Sequence, residues 1–250
     1  KPRYLIVAGV ACGLALGTKY NALILLLIMA MMIPLTYSLN QNKKIFHHDL
    51  KGRNMHSLKG VYWGGIFILI ALIIFSPWMI RNTIWKHNPF YPLFNSVFNP
   101  PQFTLSHDSV ALKQQEQANN PFWQRKNVYN DKFLETVLIP VRAFFQGQDD
   151  NPKYFDGKLN PCLLLLPLLA FVRTKETFSP TVKYHRNILT IFSILFTLLV
   201  LFESDFRIRY MAPAIPPLVI LAVLGIHNMV QLLKQQAGLI KKIGWGGLIL

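Results

Sequence analysis

The sequence predicts an all-α fold: a polytopic transmembrane helical protein with one long external loop region. Three observations carry that expectation. Of the 250 residues, 52% are hydrophobic and 15% charged, where an ordinary soluble domain carries about 25% charged residues. Mean hydropathy is +0.31. Apolar runs recur near the length of about 20 residues that crosses a bilayer at 1.5 Å rise per residue.

Taken in order, the apolar runs place helices at 4–18, 20–38, 60–80, about 159–172, 187–203 and 210–232, with a seventh starting near Ile243. Residues 1–250 thus read as a transmembrane fragment of about six spans plus the start of a seventh. The opening at Lys1 and the stop at Leu250 inside an apolar run are those expected of an internal or C-terminal piece of a larger protein. Residues 4–38 are too long for one span, and Lys19 and Asn21 in their middle predict a tight reversal. Gly9, Gly13 and Gly17 recur every fourth residue of the first helix. They form a smooth stripe that lets another helix approach closely. Pro167, Pro213, Pro216 and Pro217 are expected to break or bend their helices.

Charge sets the orientation. The N-terminal end, 39–59, 173–186 and 233–242 together hold 14 Lys or Arg and two acids; Lys19, 81–159 and 203–209 hold 12 and nine. Basic residues in short loops mark the cytoplasmic side, so the first set is cytoplasmic and the second external. The net charge of +15 follows from this bias, and no nucleic-acid partner is expected. The plasma (inner) membrane is the expected location.

Residues 82–159 form the external loop region. Within them Phe133, Leu134, Val137, Leu138, Val141, Phe144 and Phe145 follow a roughly helical spacing, interrupted by Pro140. That pattern predicts an amphipathic helix lying on the outer leaflet among membrane lipids.

Several chemistries lack their residues. Cys12 and Cys162 both lie in apolar runs, which implies neither a disulfide nor a zinc site. No nucleotide-binding glycine loop and no HExxH spacing occurs. His47, His48 and His56 sit on a basic loop and read as solvated surface. No cofactor is assigned, and whether a divalent metal takes part is open. Asp108, Glu116, Asp131, Glu135, Asp149, Asp150, Asp156, Glu203 and Asp205 are the external carboxylates; no spacing selects one of them as a base.

The cations are more informative. Arg207 and Arg209 sit at the mouth of a long apolar helix, in Arg207-Ile208-Arg209-Tyr210-Met211-Ala212-Pro213. Charge at a bilayer edge is costly without a task or an aqueous exit, and paired guanidinium groups suit an oxyanion such as phosphate. Lys19, Arg81 and the Arg207/Arg209 pair all fall on the external side in the predicted topology. The expectation is one outward-facing cavity lined by all four. The competing reading is interfacial anchoring of basic side chains by snorkelling.

Three stretches resemble the multi-span GT-C glycosyltransferases that use a polyprenyl-phosphate sugar donor, the group that includes protein O-mannosyltransferases and the lipid A aminoarabinose transferase. They are Gly13-Leu14-Ala15-Leu16-Gly17-Thr18-Lys19-Tyr20; Ser76-Pro77-Trp78-Met79-Ile80-Arg81-Asn82 followed by Asn88-Pro89-Phe90-Tyr91-Pro92; and Arg207-Ile208-Arg209-Tyr210 with Pro213. Phe155-Asp156-Gly157 also fits bacterial members. The resemblance implies transfer of a sugar from a polyprenyl phosphate to a lipid, glycan or protein acceptor at the external face. Fixed cations would stabilise the departing phosphate, and a carboxylate would take the acceptor proton. In that family the key acidic residue lies on the first external loop, and the resemblance implies that this sequence begins after it. The catalytic base is therefore left unassigned.

The reading on these grounds is a membrane glycosyltransferase. Arg207, Arg209, Lys19 and Arg81 are the donor-phosphate contacts, and Tyr210, Asn82 and Tyr91 shape the pocket. The alternatives are an enzyme of the O-antigen polymerase or ligase type and a polytopic transporter or flippase for lipid-linked sugars.

Overall fold

A computed structural model describes residues 2–42, 50–100, 120–174, 178–200 and 207–246; at 2, 38–42, 50–57, 121 and 237–246 it describes the backbone alone. The expected positions His47, His48, Asp108, Glu116, Glu203 and Asp205 lie outside the described residues, as does the side chain of His56. The described residues are helical, with no strand among them. The chain divides into two compact units, Lys1–Glu116 and Gln117–Leu250.

Unit 1 is built on α1 (Pro2–Thr18), α2 (Ala22–Asn42) and α3 (Leu50–Lys86), followed by the short α4 (Asn95–Phe98). The reversal between α1 and α2 falls at 19–21, where the Ala22 and Leu23 amides donate to the Lys19 and Tyr20 carbonyls at 3.0 and 2.8 Å. The glycine stripe of α1 receives α3. A Cβ at Gly9 would meet Ile70, one at Gly13 would lie 2.5 Å from the Ala71 carbonyl oxygen, and one at Gly17 would strike the Trp78 indole at 2.6 Å. Without side chains at these positions the two backbones approach closely, and Cys12, Phe67 and Ala71 are buried at the contact. α3 runs past the expected end at residue 80, which puts Arg81 and Asn82 on helix rather than loop. It stops where His87 takes a left-handed φ of 50°, a common way to end a helix.

Unit 2 begins with three short helices, α5 (Pro121–Asn127), α6 (Phe133–Val137) and α7 (Ile139–Phe145). Asn120 caps α5 by accepting from the Phe122 and Trp123 amides. The expected single amphipathic helix is broken at Leu138, because Pro140 has no N–H for the preceding turn and sits instead in the first turn of α7. Six of its seven apolar residues point outward, and Phe144 is buried. A 3₁₀ turn at Pro152–Tyr154 leads to α8 (Cys162–Leu169) and α9 (Pro180–Val200), and a second 3₁₀ turn at Ile208–Ala214 leads to α10 (Ile215–Gly246).

Pro216 and Pro217 fall in the first turn of α10, where an amide without an intrahelical partner is tolerated. The loop expected at 233–242 is helical and continuous with α10, since Leu, Lys, Gln and Ala there are good helix formers. α8 is far shorter than the predicted 159–172. Its C-terminal carbonyls are satisfied from neighbouring helices: Asn228 donates to the Leu169 and Val172 oxygens at 3.0 and 3.1 Å, and Arg186 to Ala170 at 2.9 Å.

Among the described residues, two helical stretches are long and apolar enough to cross a membrane, Leu58–Lys86 and Ile208–Gln236, and only 22% and 28% of their apolar windows are buried. Arg3–Thr18 and Ala22–Tyr37 are apolar but shorter.

Candidate functional site

In unit 1 a cleft of about 290 Å³ opens where α1 and α3 end. Three segments line it: Leu16 to Tyr20, then Phe75, Trp78, Arg81 and Asn82 on α3, and Tyr91 with Pro92 beyond it. Lys19 and Arg81 are therefore in one cleft, together with the expected pocket residues Asn82 and Tyr91.

Each wall has a local cause. Gly17 lets the Trp78 indole lie directly against α1, and Trp78 stacks on Phe75 with ring centroids 6.4 Å apart. Tyr20 meets Phe75 edge to face at 6.3 Å. The Asn82 amide donates to the Tyr20 hydroxyl at 2.6 Å and reaches the Pro89 carbonyl at 3.5 Å. Asn88, wholly buried, organises the turn that brings Tyr91 and Pro92 inward. Its Oδ1 accepts from the Phe90 amide at 2.9 Å, and its Nδ2 donates to the Leu93 carbonyl at 2.8 Å. An Asn before Pro is a recognisable turn signal, but its burial is not visible in the sequence.

The electrostatics of the cleft are positive. Arg81 is exposed, with its guanidinium 4.5 Å from the Trp85 ring centroid. Lys19 is the first residue after α1; a cation there also complements the partial negative charge of a helix C-terminus. Two cations, an amide and two phenols on one aromatic-walled cleft can hold an anionic head group with an apolar tail.

In unit 2, Arg207 and Arg209 begin the 3₁₀ turn that precedes α10. Arg207 Nη1 lies 3.1 Å from Asp156 Oδ2, and the Ile208 amide donates to the Phe155 carbonyl at 2.8 Å. Arg209 is exposed and its guanidinium sits 5.5 Å from the Tyr210 ring. Beneath this, Asp131 forms ion pairs with Arg125 at 3.4 Å and Arg142 at 3.1 Å, the Asp131 side chain being 3% exposed. Burial pushes the Arg125 guanidinium below its ordinary value, against the pull of Asp131. Both guanidinium groups face the buried Phe155 ring, at 4.8 and 5.8 Å.

The residues that sequence reasoning left unassigned are Tyr20 and Trp78 in unit 1 and Asp131 and Asp156 in unit 2. The Asp156–Arg207 pair spans 51 residues, and no local pattern signals such a contact. Among the described residues, no group of three or more His, Cys, Asp or Glu could hold a metal ion. No known protein family, no curated protein and no solved structure matches the chain.

Proposed function

We propose that the protein is a multi-pass membrane glycosyltransferase that takes its sugar from a polyprenyl phosphate at the external face of the plasma membrane. The observation that carries this reading is the unit 1 cleft, where Lys19, Arg81, Asn82 and Tyr91 meet at the end of an apolar helix. Its volume of about 290 Å³ lies at the low end for ligand pockets, which run from about 300 to 1,000 Å³. That suits a phosphate with the first carbons of its lipid better than a whole glycolipid. The apolar faces favour a bilayer: Leu69, Ile73, Ile80 and Ile84 on α3 are all exposed, and a row of this kind is costly in water.

In this reading Lys19 and Arg81 stabilise the charge that grows on the departing phosphate. Trp78 and Tyr91 flank the lipid side, and Asn82 is fixed by Tyr20. In unit 2 the proposed phosphate contacts are Arg207 and Arg209. The acceptor is a lipid, glycan or protein. The test is binding by the whole protein in lipid nanodiscs of a short-chain polyprenyl phosphate, of the matching polyprenol and of inorganic phosphate. The reading expects the polyprenyl phosphate to bind at least tenfold more tightly than either of the others. Equal binding of the polyprenol would exclude the phosphate contact.

A further inference from the structure

The Phe155-Asp156-Gly157 turn of unit 2 has an unusual backbone. Phe155, Asp156 and Gly157 have φ of 72°, 41° and 153°. Positive φ is uncommon outside glycine and costly for a bulky residue such as Phe. Strained conformations of this kind persist when their surroundings over-determine them, and here they do. The Phe155 ring is wholly buried, with the guanidinium groups of Arg125 and Arg142 at 4.8 and 5.8 Å from its centroid, and Asp131 pairs with both of them. Arg125 also donates to the Lys153 carbonyl at 2.6 Å. The turn is closed by the Gln148 amide donating to Tyr154 and the Gly157 amide donating to Gln148, both at 3.0 Å. A Cβ at Gly147 would collide with the Gly157 carbonyl oxygen, so the two arms of the turn touch through glycine.

This frame delivers two things to one place. The Phe155 carbonyl accepts from the Ile208 amide, which fixes the backbone next to Arg207. The Asp156 carboxylate meets the Arg207 guanidinium. The carboxylate is not what the backbone asks for, because at a left-handed position Asn is at least as comfortable as Asp. What Asp adds over Asn is charge, and that charge faces Arg207.

We infer that Asp156 is a positioning residue for Arg207, which it holds by one guanidinium nitrogen so that the cation is pre-oriented for an anionic ligand. This rests on the reading of Arg207 as a phosphate contact. A guanidinium carries its N–H donors in a planar fork, and the Asp156 contact at 3.1 Å fixes the direction of that fork. Holding a long side chain in advance removes an ordering cost that binding would otherwise carry. That cost corresponds to roughly a two- to tenfold change in affinity for one rotamer-rich side chain.

The experiment is a double-mutant cycle on the whole protein in lipid nanodiscs, read as the Kd for a short-chain polyprenyl phosphate. The variants are Asp156→Asn, Arg207→Ala and the pair together. Asp156→Asn keeps the shape and the left-handed backbone, and an unchanged Tm verifies that it folds. Arg207→Ala is expected to weaken binding about tenfold or more. Asp156→Asn is expected to weaken it about two- to tenfold, and the double variant to bind no worse than Arg207→Ala alone. Asp156→Asn binding as well as the unchanged protein, or more tightly, while Arg207→Ala is impaired overturns the positioning role and leaves the phosphate reading standing. Additive losses in the double variant also overturn it, since Asp156 would then act on something other than Arg207. Unchanged binding in Arg207→Ala removes the phosphate role of Arg207 and the positioning role with it.

Discussion

The Asn82 amide donates a 2.6 Å hydrogen bond to the Tyr20 hydroxyl, across 62 residues of sequence. It ties the last turns of α3 to the reversal that follows α1 and so fixes the two sides of the unit 1 cleft. Tyr20→Phe removes the acceptor and leaves Asn82 with only the long contact to Pro89. The expected loss is about 1 kcal/mol, the usual net value of such a bond. Asn82→Ala should cost a similar amount and add little on top of Tyr20→Phe, because both remove one interaction. Thermal unfolding of the purified protein in detergent measures both.

The glycines of unit 1 separate by position. At Gly13 a Cβ would lie 2.5 Å from the Ala71 carbonyl oxygen and 2.7 Å from the Ile74 Cβ, whereas at Gly65 nothing lies within 4 Å. Gly13→Ala should push α1 from α3 and destabilise by about 1–3 kcal/mol, the range for overpacking. Gly65→Ala should be neutral or stabilising by about 0.4–1 kcal/mol, since it only restricts the unfolded chain. The same unfolding assay compares the two.

The buried ion cluster of unit 2 predicts an asymmetry. Asp131→Ala leaves Arg125 and Arg142 facing each other without their carboxylate, and removing one partner of a buried pair costs about 3–5 kcal/mol. Burial already penalises the Arg125 charge, so the cluster as a whole is a weak source of net stability. Replacing all three charged residues with apolar side chains of similar volume should restore most of what Asp131→Ala loses. Guanidinium chloride unfolding of the purified protein compares the two variants.

Helices were the most legible part of the fold, because apolar composition and glycine spacing act locally. The Gly9, Gly13 and Gly17 stripe indicated a close helix contact, and α3 supplies it through Ile70, Ala71, Ile74 and Trp78. The reversal at Lys19 to Asn21 was also readable, since polar residues interrupt an apolar run there. Helix ends were less so. The basic stretch 233–242 reads as a loop if charge marks a boundary, yet Lys is compatible with a helix that simply leaves the apolar region. The Pro140 break was visible as a residue, but its consequence, two short helices meeting at Leu138, depends on what the buried Ile139, Ala143 and Phe144 pack against. In the cleft, residue types pointed to Lys19, Arg81, Asn82 and Tyr91. The long-range partners Tyr20 for Asn82 and Asp156 for Arg207 have no sequence signature, because tertiary contacts alone create them.

The role proposed for Lys19 and Arg81 is to bind the phosphate of a polyprenyl phosphate in the unit 1 cleft. The most direct measurement is the Kd of the whole protein in nanodiscs for a short-chain polyprenyl phosphate, with Lys19→Ala, Arg81→Ala and Arg81→Lys beside the unchanged chain. Each alanine is expected to weaken binding about ten- to hundredfold, as loss of a charge-assisted hydrogen bond does. Arg81→Lys should restore only part of it, keeping the charge but not the fork, and binding of the neutral polyprenol should be unmoved by all three. If both alanine variants fold and bind the polyprenyl phosphate as tightly as the unchanged protein, the two cations are interfacial anchors and not phosphate contacts.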